Sequence, residues 1–388
     1  RSGAILTVAR QPQDSAEALQ MSALVQEAAA NGNSLALRAG GTKNRLGSAT
    51  TATQHLDLLS LRGIVTYEPE ELILIARPGT PLTEVEALLA TQSQHLAFEP
   101  PHWGPDATLG GTLGVGASGP RRFVAGGARD FVLGMQFIDG KGRIIRAGGR
   151  VVKNVTGYDL WRSMVGSYGT LGIMTEVCLK LWPQPATQRT LAIRGIHQEQ
   201  ALSRMLAWSR RTESITGLAY TDEDATMWAR VEGSEAATVA QTEKLWQNAG
   251  SGDILQTADS NNRWQSLRER GGLKTAAGEV CFRIVMPPSR APEALAQLNK
   301  IGLSRWSLDW AGGLLWAVLP QTRAPRDIHV IADGVAGVAA RLGTDPEDAN
   351  PEAFTPLSAG VARLNQTLRQ CLDPQSLFNP GRLSRPAH

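Results

Sequence analysis

Cysteine is scarce in this 388-residue sequence: Cys178, Cys281 and Cys371 stand far apart and in no CxxC arrangement. The spacing predicts reduced, buried thiols, and so few cysteines fall short of the set an iron–sulfur cluster ordinarily takes. Histidine is scarce too. Those at positions 55, 95, 102, 197, 329 and 388 form no HxH, HxxxH or HExxH pair, so no metal site is expected. No uninterrupted apolar stretch approaches the ~20 residues of a membrane helix, and no basic segment leads into an apolar core near the N-terminus. A soluble, cytosolic protein without a transmembrane segment is expected. Neither sign of charge dominates: 39 Lys and Arg against 36 Asp and Glu leave +3, without a long basic run, which points away from nucleic acid and anionic membranes as partners.

What is present is a globular composition, 42% hydrophobic and 19% charged, in a chain long enough for two or more cores. Residues 14–31 predict a helix, with Asp14 as N-cap, Glu17 three residues on and Gly32 as the stop. Strands follow at 35–39, 63–67 and 72–77, then a helix at 81–92 in which Thr83 and Glu86 suit a capping box. Two strands meet across Asp139–Gly142, where Asp-Gly supplies the turn. A short helix ends at Gly166, and a strand with alternating burial stops at Pro183. Pro183 and Pro185 mark a domain boundary. Beyond it, from 186 to 345, strands and helices alternate, predicting an antiparallel sheet with helices on one side. Most tryptophans fall here, at 208, 228, 246, 264, 306, 310 and 316, and read as core or interface anchors. A loop at 348–356 and a closing helix lead to FNPGR at 378–382.

The segment Thr108–Gly119, TLGGTLGVGASG, contains a formal GxGxxG at Gly114–Gly119, with Asp139 roughly 20 residues further on. A Rossmann turn needs an apolar strand running into the glycines and a helix leaving them. Upstream, EPPHWGPDATLGG holds prolines and no branched apolar run; downstream, Pro120, Gly126 and Gly127 interrupt any helix. The segment therefore reads as a glycine-rich extended loop whose amides can approach an anion, and Asp139 reads as a turn residue.

Three segments together resemble the FAD-linked oxidase family of p-cresol methylhydroxylase and vanillyl-alcohol oxidase: LRAGGTKNRLG (37–47), PPHWGPDATLGGTLGVGASGPRRFVAGGARDFVLG (100–134) and KNVTGYDLWRSMVGSYGTLGIMTEV (153–177), followed by FNPGR. More narrowly, PPHWG, GPRR, GSYGTLG, LDWAGGLLW and LDPQSLFNPGR resemble the family of FAD-binding E subunits of bacterial glycolate oxidases. The resemblance implies an α+β fold: a two-subdomain FAD-binding domain of p-cresol methylhydroxylase type over 1–184 (about 1–66 and 67–184), an antiparallel-sheet α+β cap over 185–345, and a segment, 346–388, returning to the FAD domain. It implies cofactor contacts at Arg38, Gly40, Gly41, Thr42, Lys43, Asn44, Gly79, Pro101, Gly110, Gly111, Thr112, Ala117, Ser118, Gly119, Gly169, Thr170, Gly172, Ile173 and Asn379. A Cβ at Gly111 or Gly119 is expected to intrude where backbone meets pyrophosphate.

Departures from the family sharpen the expectation. Relatives that bind FAD covalently through the first loop carry His after the glycine pair; Thr42 stands here, so noncovalent FAD is expected. Tyr168 replaces a common Glu, as in the E subunits. The histidine-rich motif of catalytic D-2-hydroxy-acid dehydrogenases is missing, and His329 stands alone. Oxidising a 2-hydroxy acid needs a base beside the flavin, and this chain keeps the flavin loops without an evident base. An electron-relaying subunit of a glycolate-oxidising complex is implied, with a catalytic flavoprotein subunit and an iron–sulfur subunit as partners, and with Arg121, Arg122 and the tryptophan-bearing cap as subunit contacts. Two alternatives stand beside it: a self-sufficient FAD-dependent dehydrogenase using His102 or Tyr158 as base, and a flavin-free scaffold.

Overall fold

The computed structural model describes residues 14–149, 159–210, 214–270, 273–323, 325–343 and 352–383. The first helix, Ala16–Ala30, is capped by Ser15, whose hydroxyl accepts the Ala18 N–H. Asp14, the expected cap, instead pairs with Gln136 and Arg146. The helix buries Met21, Val25 and Ala28 against a small parallel pair, Leu35–Arg38 with Gln54–Asp57. Next comes a five-stranded antiparallel sheet in the order Ile64–Glu68, Ile73–Ala76, Ile173–Lys180, Val132–Ile138, Ile144–Gly148. Its last two strands form the hairpin expected across Asp139, which accepts the Lys141 and Arg143 amides and pairs with the Arg143 side chain. Asp139 is thus a turn residue.

The helix Leu82–Ala90 starts at Pro81 with no side-chain cap, so the expected Thr83–Glu86 capping box does not form. Glu86 reaches His102 and Arg268 instead. The glycine-rich segment also departs from expectation: Leu109–Val115 is a helix, with Thr108 accepting the Gly111 N–H and Gly116 closing the other end at φ 63. Tertiary packing overrides the weak helix propensity of its glycines. Leu109 and Leu113 sit fully in the core, and a Cβ on Gly110 would meet Pro78 at 2.5 Å, so only glycine lets this helix lie so close.

An eight-stranded antiparallel sheet fills the second half: Asp253–Leu255, Thr187–Ile193, Thr226–Gly233, Ile215–Thr221, Arg305–Asp309, Leu314–Pro320, Glu279–Val285 and Val338–Leu342. The large core lies on one face, beneath the helices Gln198–Trp208, Glu235–Ala249, Ala291–Lys300 and Pro325–Gly334. Helices were expected on that side alone. The opposite face carries the helix Thr257–Arg268, whose Trp264 packs with Trp228, and beside it Trp310, Leu314 and Trp316 meet Leu46, Trp103 and Val115 of the first half. A sheet covered on both faces explains why its strands are so uniformly buried. Most of the cap-region tryptophans are core residues; Trp246 is the exception, 41% exposed. Cys178 and Cys281 are buried as expected, but Cys371 is exposed. The start of the 348–356 loop lies outside the described residues.

Candidate functional site

The strand Leu35–Arg38 delivers the chain into Gly40–Arg45, a loop that turns at Gly41, φ 71. Among the described residues no acceptor takes the backbone N–H groups of Gly40, Gly41, Thr42 and Lys43. Consecutive free amides of this kind form an anion-binding concavity. The loop is held from outside: the Arg382 guanidinium donates to the carbonyls of Asn44 at 2.8 Å and Ser48 at 3.2 Å. A Cβ on Gly40 would lie 1.5 Å from the Asp106 carbonyl oxygen, so that position admits only glycine.

Gly40, Gly41, Thr42 and Lys43 line a cavity of about 480 Å³, together with Arg45, Leu46, Trp103, Arg270 and Leu342. Lys43 is 5% exposed and its ammonium donates to Thr42 Oγ1 and the His102 carbonyl. Burial lowers this amine to about 8, against the opposing pull of Glu269. Arg45 and Arg270 add positive charge, and among the described residues no carboxylate lines the cavity. Buried Trp103 Nε1 and Arg270 Nε have no partner among the described residues. Trp103 also lines a second, narrow cavity with Pro101, Ala117, Ser118, Gly119, Arg268, Arg283, Asp309 and Trp316. There burial pushes the Asp309 carboxyl up to about 7, although the Trp310 amide donates to it.

Several expected contact residues come together in these two cavities: Gly40 to Lys43 in the first, Pro101 and Ala117 to Gly119 in the second. Thr112 is fully buried beside them in sequence, and among the described residues its hydroxyl and that of Ser167 have no partner. Gly169 and Asn379 meet: Asn379 Nδ2 donates to the Tyr168 and Gly169 carbonyls, and its Oδ1 accepts the Leu37 N–H. Asn44 donates its amide to the Gly41 carbonyl within the first loop, and Thr170 caps its own turn through the Ser167 carbonyl. Gly79 and Gly172 are close-packing positions, where a Cβ would strike the carbonyls of Leu58 and Ile138 at 2.5 Å; Ile173 is a core residue, and Arg38 is exposed.

Gly119 has a different reason for lacking a side chain from the one expected. Its Cβ would lie 2.5 Å from the Glu99 carbonyl oxygen, so the intrusion is against protein backbone. Arg121, expected at a subunit contact, is buried and pairs with Glu232 of the second sheet, Nε to Oε2 at 3.0 Å. Arg230 donates to Glu99 at 2.7 and 3.1 Å. Burial alone would raise the Glu99 carboxyl, but the Arg121 and Arg230 guanidiniums outweigh it and hold it at about 2. Arg122 lies over Trp310, 4.3 Å from the ring centroid. Both arginines therefore tie the halves of this chain together.

His102 is held by its surroundings. Its ring nitrogen Nε2 lies 3.1 Å from Glu86 Oε2, and Glu269 accepts the backbone N–H groups of His102 and Trp103 at 3.0 and 2.7 Å. Tyr158 lies outside the described residues. His329 is a core histidine between Thr355 and the Glu352 carbonyl. Sequence reasoning missed Arg45, Trp103, Arg270 and Leu342. The first two neighbour expected residues; the last two arrive from the second half, more than the local pattern can show.

The free amides, the buried unpartnered hydroxyls and the cationic cavity suit a ligand with a pyrophosphate and a flat ring, which defines a dinucleotide-binding flavoprotein of α+β fold. Residues 13–148 match the FAD binding domain family. Glycolate oxidase subunit GlcE of Escherichia coli K12 is 39% identical over 359 residues, 92% of this chain and 95% of that protein, and this chain belongs to that FAD-linked family. Glycolate oxidase subunit GlcD of Bacillus subtilis is 36% identical over 153 residues, 39% of this chain and 31% of its own length. D-lactate dehydrogenase of Archaeoglobus fulgidus is 24% identical over 390 residues, covering 90% of this chain and 85% of its own. The fold is also that of alkyldihydroxyacetonephosphate synthase, at a TM-score of 0.63 over 95% of this chain and 76% of that one, with 14% identity. No helix among the described residues is long and apolar enough to cross a membrane.

Proposed function

We propose that this chain is the FAD-binding, electron-relaying subunit of a glycolate oxidase complex that oxidises glycolate to glyoxylate. The observation that carries the reading is the nearly end-to-end similarity to GlcE, set beside a partial similarity to GlcD. A catalytic flavoprotein subunit and an iron–sulfur subunit complete the assembly, which works in the cytoplasm, peripheral to the inner membrane through those partners. Residues 1–184 serve as the FAD-binding domain, 185–345 as the cap, and 346–388 as the returning segment; the bond from Asn379 to Leu37 supports the last.

When bound, FAD supplies an acceptor of two electrons that can release them singly. The chain's own part is to hold it. The amides of Gly40 to Lys43 and the Lys43 ammonium receive the pyrophosphate, and Thr112 with Ala117 to Gly119 forms the facing wall. Gly169 and Asn379 close the nucleotide end, while Trp103 and Trp316, in edge contact at 5.9 Å between centroids, exclude water from the interdomain side. Thr42 leaves the attachment noncovalent, so acid precipitation releases the flavin; colour retained in the pellet would contradict it. Glu86 engages the His102 ring, which therefore positions the PPHWG turn. The decisive experiment is anaerobic mixing of the FAD-loaded chain with glycolate, alone and with its partner subunits. Negligible dye reduction alone and rapid reduction in the complex support the relay. Fast turnover alone that is lost in His102→Ala would replace it with a self-sufficient dehydrogenase.

A further inference from the structure

The pyrophosphate of a dinucleotide is a dianion, most fully neutralised by a pair of cations. From the first half of the chain the cationic cavity receives one buried cation, Lys43, while Arg45 stands exposed at its rim. The remaining charge that lines it is Arg270, which lies well beyond residues 13–148, the segment that matches the FAD binding domain family.

The turn that carries Arg270 is fastened to the first half. It follows the helix Thr257–Arg268 in the left-handed region, φ 79, which an arginine adopts less readily than a glycine, and its N–H donates to the Leu267 carbonyl at 3.0 Å. Just before it, Glu269 accepts the His102 and Trp103 amides at 3.0 and 2.7 Å. At the same cavity the Gly343 N–H donates to the Arg45 carbonyl at 2.7 Å, and Leu46 bridges to Leu342. The position of Arg270 against the Gly40–Lys43 loop is therefore set by backbone bonds between the halves.

Two arginines at this turn meet different surroundings. Arg268 is paired with Glu86 and Glu269. Arg270 is not paired: its buried Nε has no partner among the described residues, and its guanidinium makes no ion pair there. Both oxygens of Glu269 are already engaged, by the two amides and by Arg268. Taking a cation out of water without a counter-charge is unfavourable, so an anion in the cavity stabilises the arrangement. A guanidinium fork suits phosphate oxygens and can hold two at once. We infer that Arg270 is a cofactor-binding residue, a clamp from the second half that holds the FAD pyrophosphate together with the Gly40–Lys43 amides. This rests on the reading of that cavity as the pyrophosphate site.

The test is fluorescence titration of the apoprotein with FAD for wild type, Arg270→Gln, Arg270→Lys and Lys43→Met, beside thermal melts of the same proteins without flavin. Arg270→Gln should bind FAD ~10- to 100-fold more weakly, the loss that goes with a hydrogen bond to a charged group. Arg270→Lys, which keeps the charge without the fork, should recover part of it. Without flavin, Arg270→Gln should melt at or above the wild-type temperature, because it removes an unpaired cation. A lower melting temperature would make Arg270 a structural residue and overturn the inference. The FAD that Arg270→Gln does bind should keep the wild-type visible spectrum; a shifted spectrum would put the guanidinium at the flavin ring instead. Lys43→Met tests the cavity itself. If it weakens FAD binding and Arg270→Gln does not, the clamp falls and the cavity stands. If neither variant changes affinity, the pyrophosphate lies elsewhere and both fall.

Discussion

The Trp310 indole N–H donates to the Gly119 carbonyl over 2.9 Å, joining a left-handed corner of the cap to the turn that follows the glycine-rich helix. The same carbonyl also accepts the Arg122 N–H at 3.1 Å, so breaking the indole bond leaves it one partner. Trp310→Phe should therefore cost about 0.5–1.5 kcal/mol, the net worth of one hydrogen bond, read from the urea midpoint. Unchanged stability would show that this bond does not hold the second sheet to the glycine-rich segment.

Acid should loosen the same junction. Glu99 sits at about 2 in the folded protein against an ordinary 4.5. A carboxyl lowered on folding contributes stability that is fully present above its unfolded value and is lost as pH falls through the folded one. Wild type should therefore lose stability between pH 4.5 and about 2 more steeply than Glu99→Gln. Equal slopes in urea melts across that window would dismiss the Glu99 pair as a pH-dependent tie.

Two glycines separate binding from folding. At Gly119 a Cβ meets the Glu99 backbone, whereas at Gly111 it meets only Thr108 Oγ1, at 3.2 Å, and otherwise open space. Gly119→Val should lower the melting temperature markedly. Gly111→Val should melt near wild type and lose most of its FAD. Full FAD occupancy in Gly111→Val would place the cofactor wall elsewhere.

Lys43 gives flavin affinity a pH dependence. Its amine is lowered to about 8 by burial, and an anionic ligand prefers the charged form. FAD affinity should fall as pH rises through about 8, because the free protein then loses the ammonium that the pyrophosphate would pair with. Fluorescence titration of the apoprotein from pH 7 to 9 measures it. Lys43→Met should bind more weakly at pH 7 and show a flat profile; the wild-type slope persisting in that variant would assign it to another group.

Legibility in the sequence followed the range of the forces involved. The hairpin at Asp139 and the first helix are written in local turn and cap chemistry, with Ser15 displacing Asp14 by a single position. The helix at Leu109–Val115 was hidden because its glycines serve a close approach to Pro78 that propensity does not register. The cavity loop Gly40–Lys43 was legible because glycine, Thr42 and Lys43 lie together. Arg270 and Leu342 of the same cavity, and Glu232 opposite Arg121, were not, since folding brings each from far along the chain.

Leu37 and Asn379, bonded at 2.8 Å, are 342 residues apart. The first loop of the cradle therefore leaves the ribosome long before the residue that fastens it, and waits for the cap to be made in between. Until Asn379 arrives, the Leu37 amide and the Tyr168 and Gly169 carbonyls lack their partner. The order of synthesis makes closure of this junction a late event in the life of each molecule, one that only a chain translated through position 379 can complete.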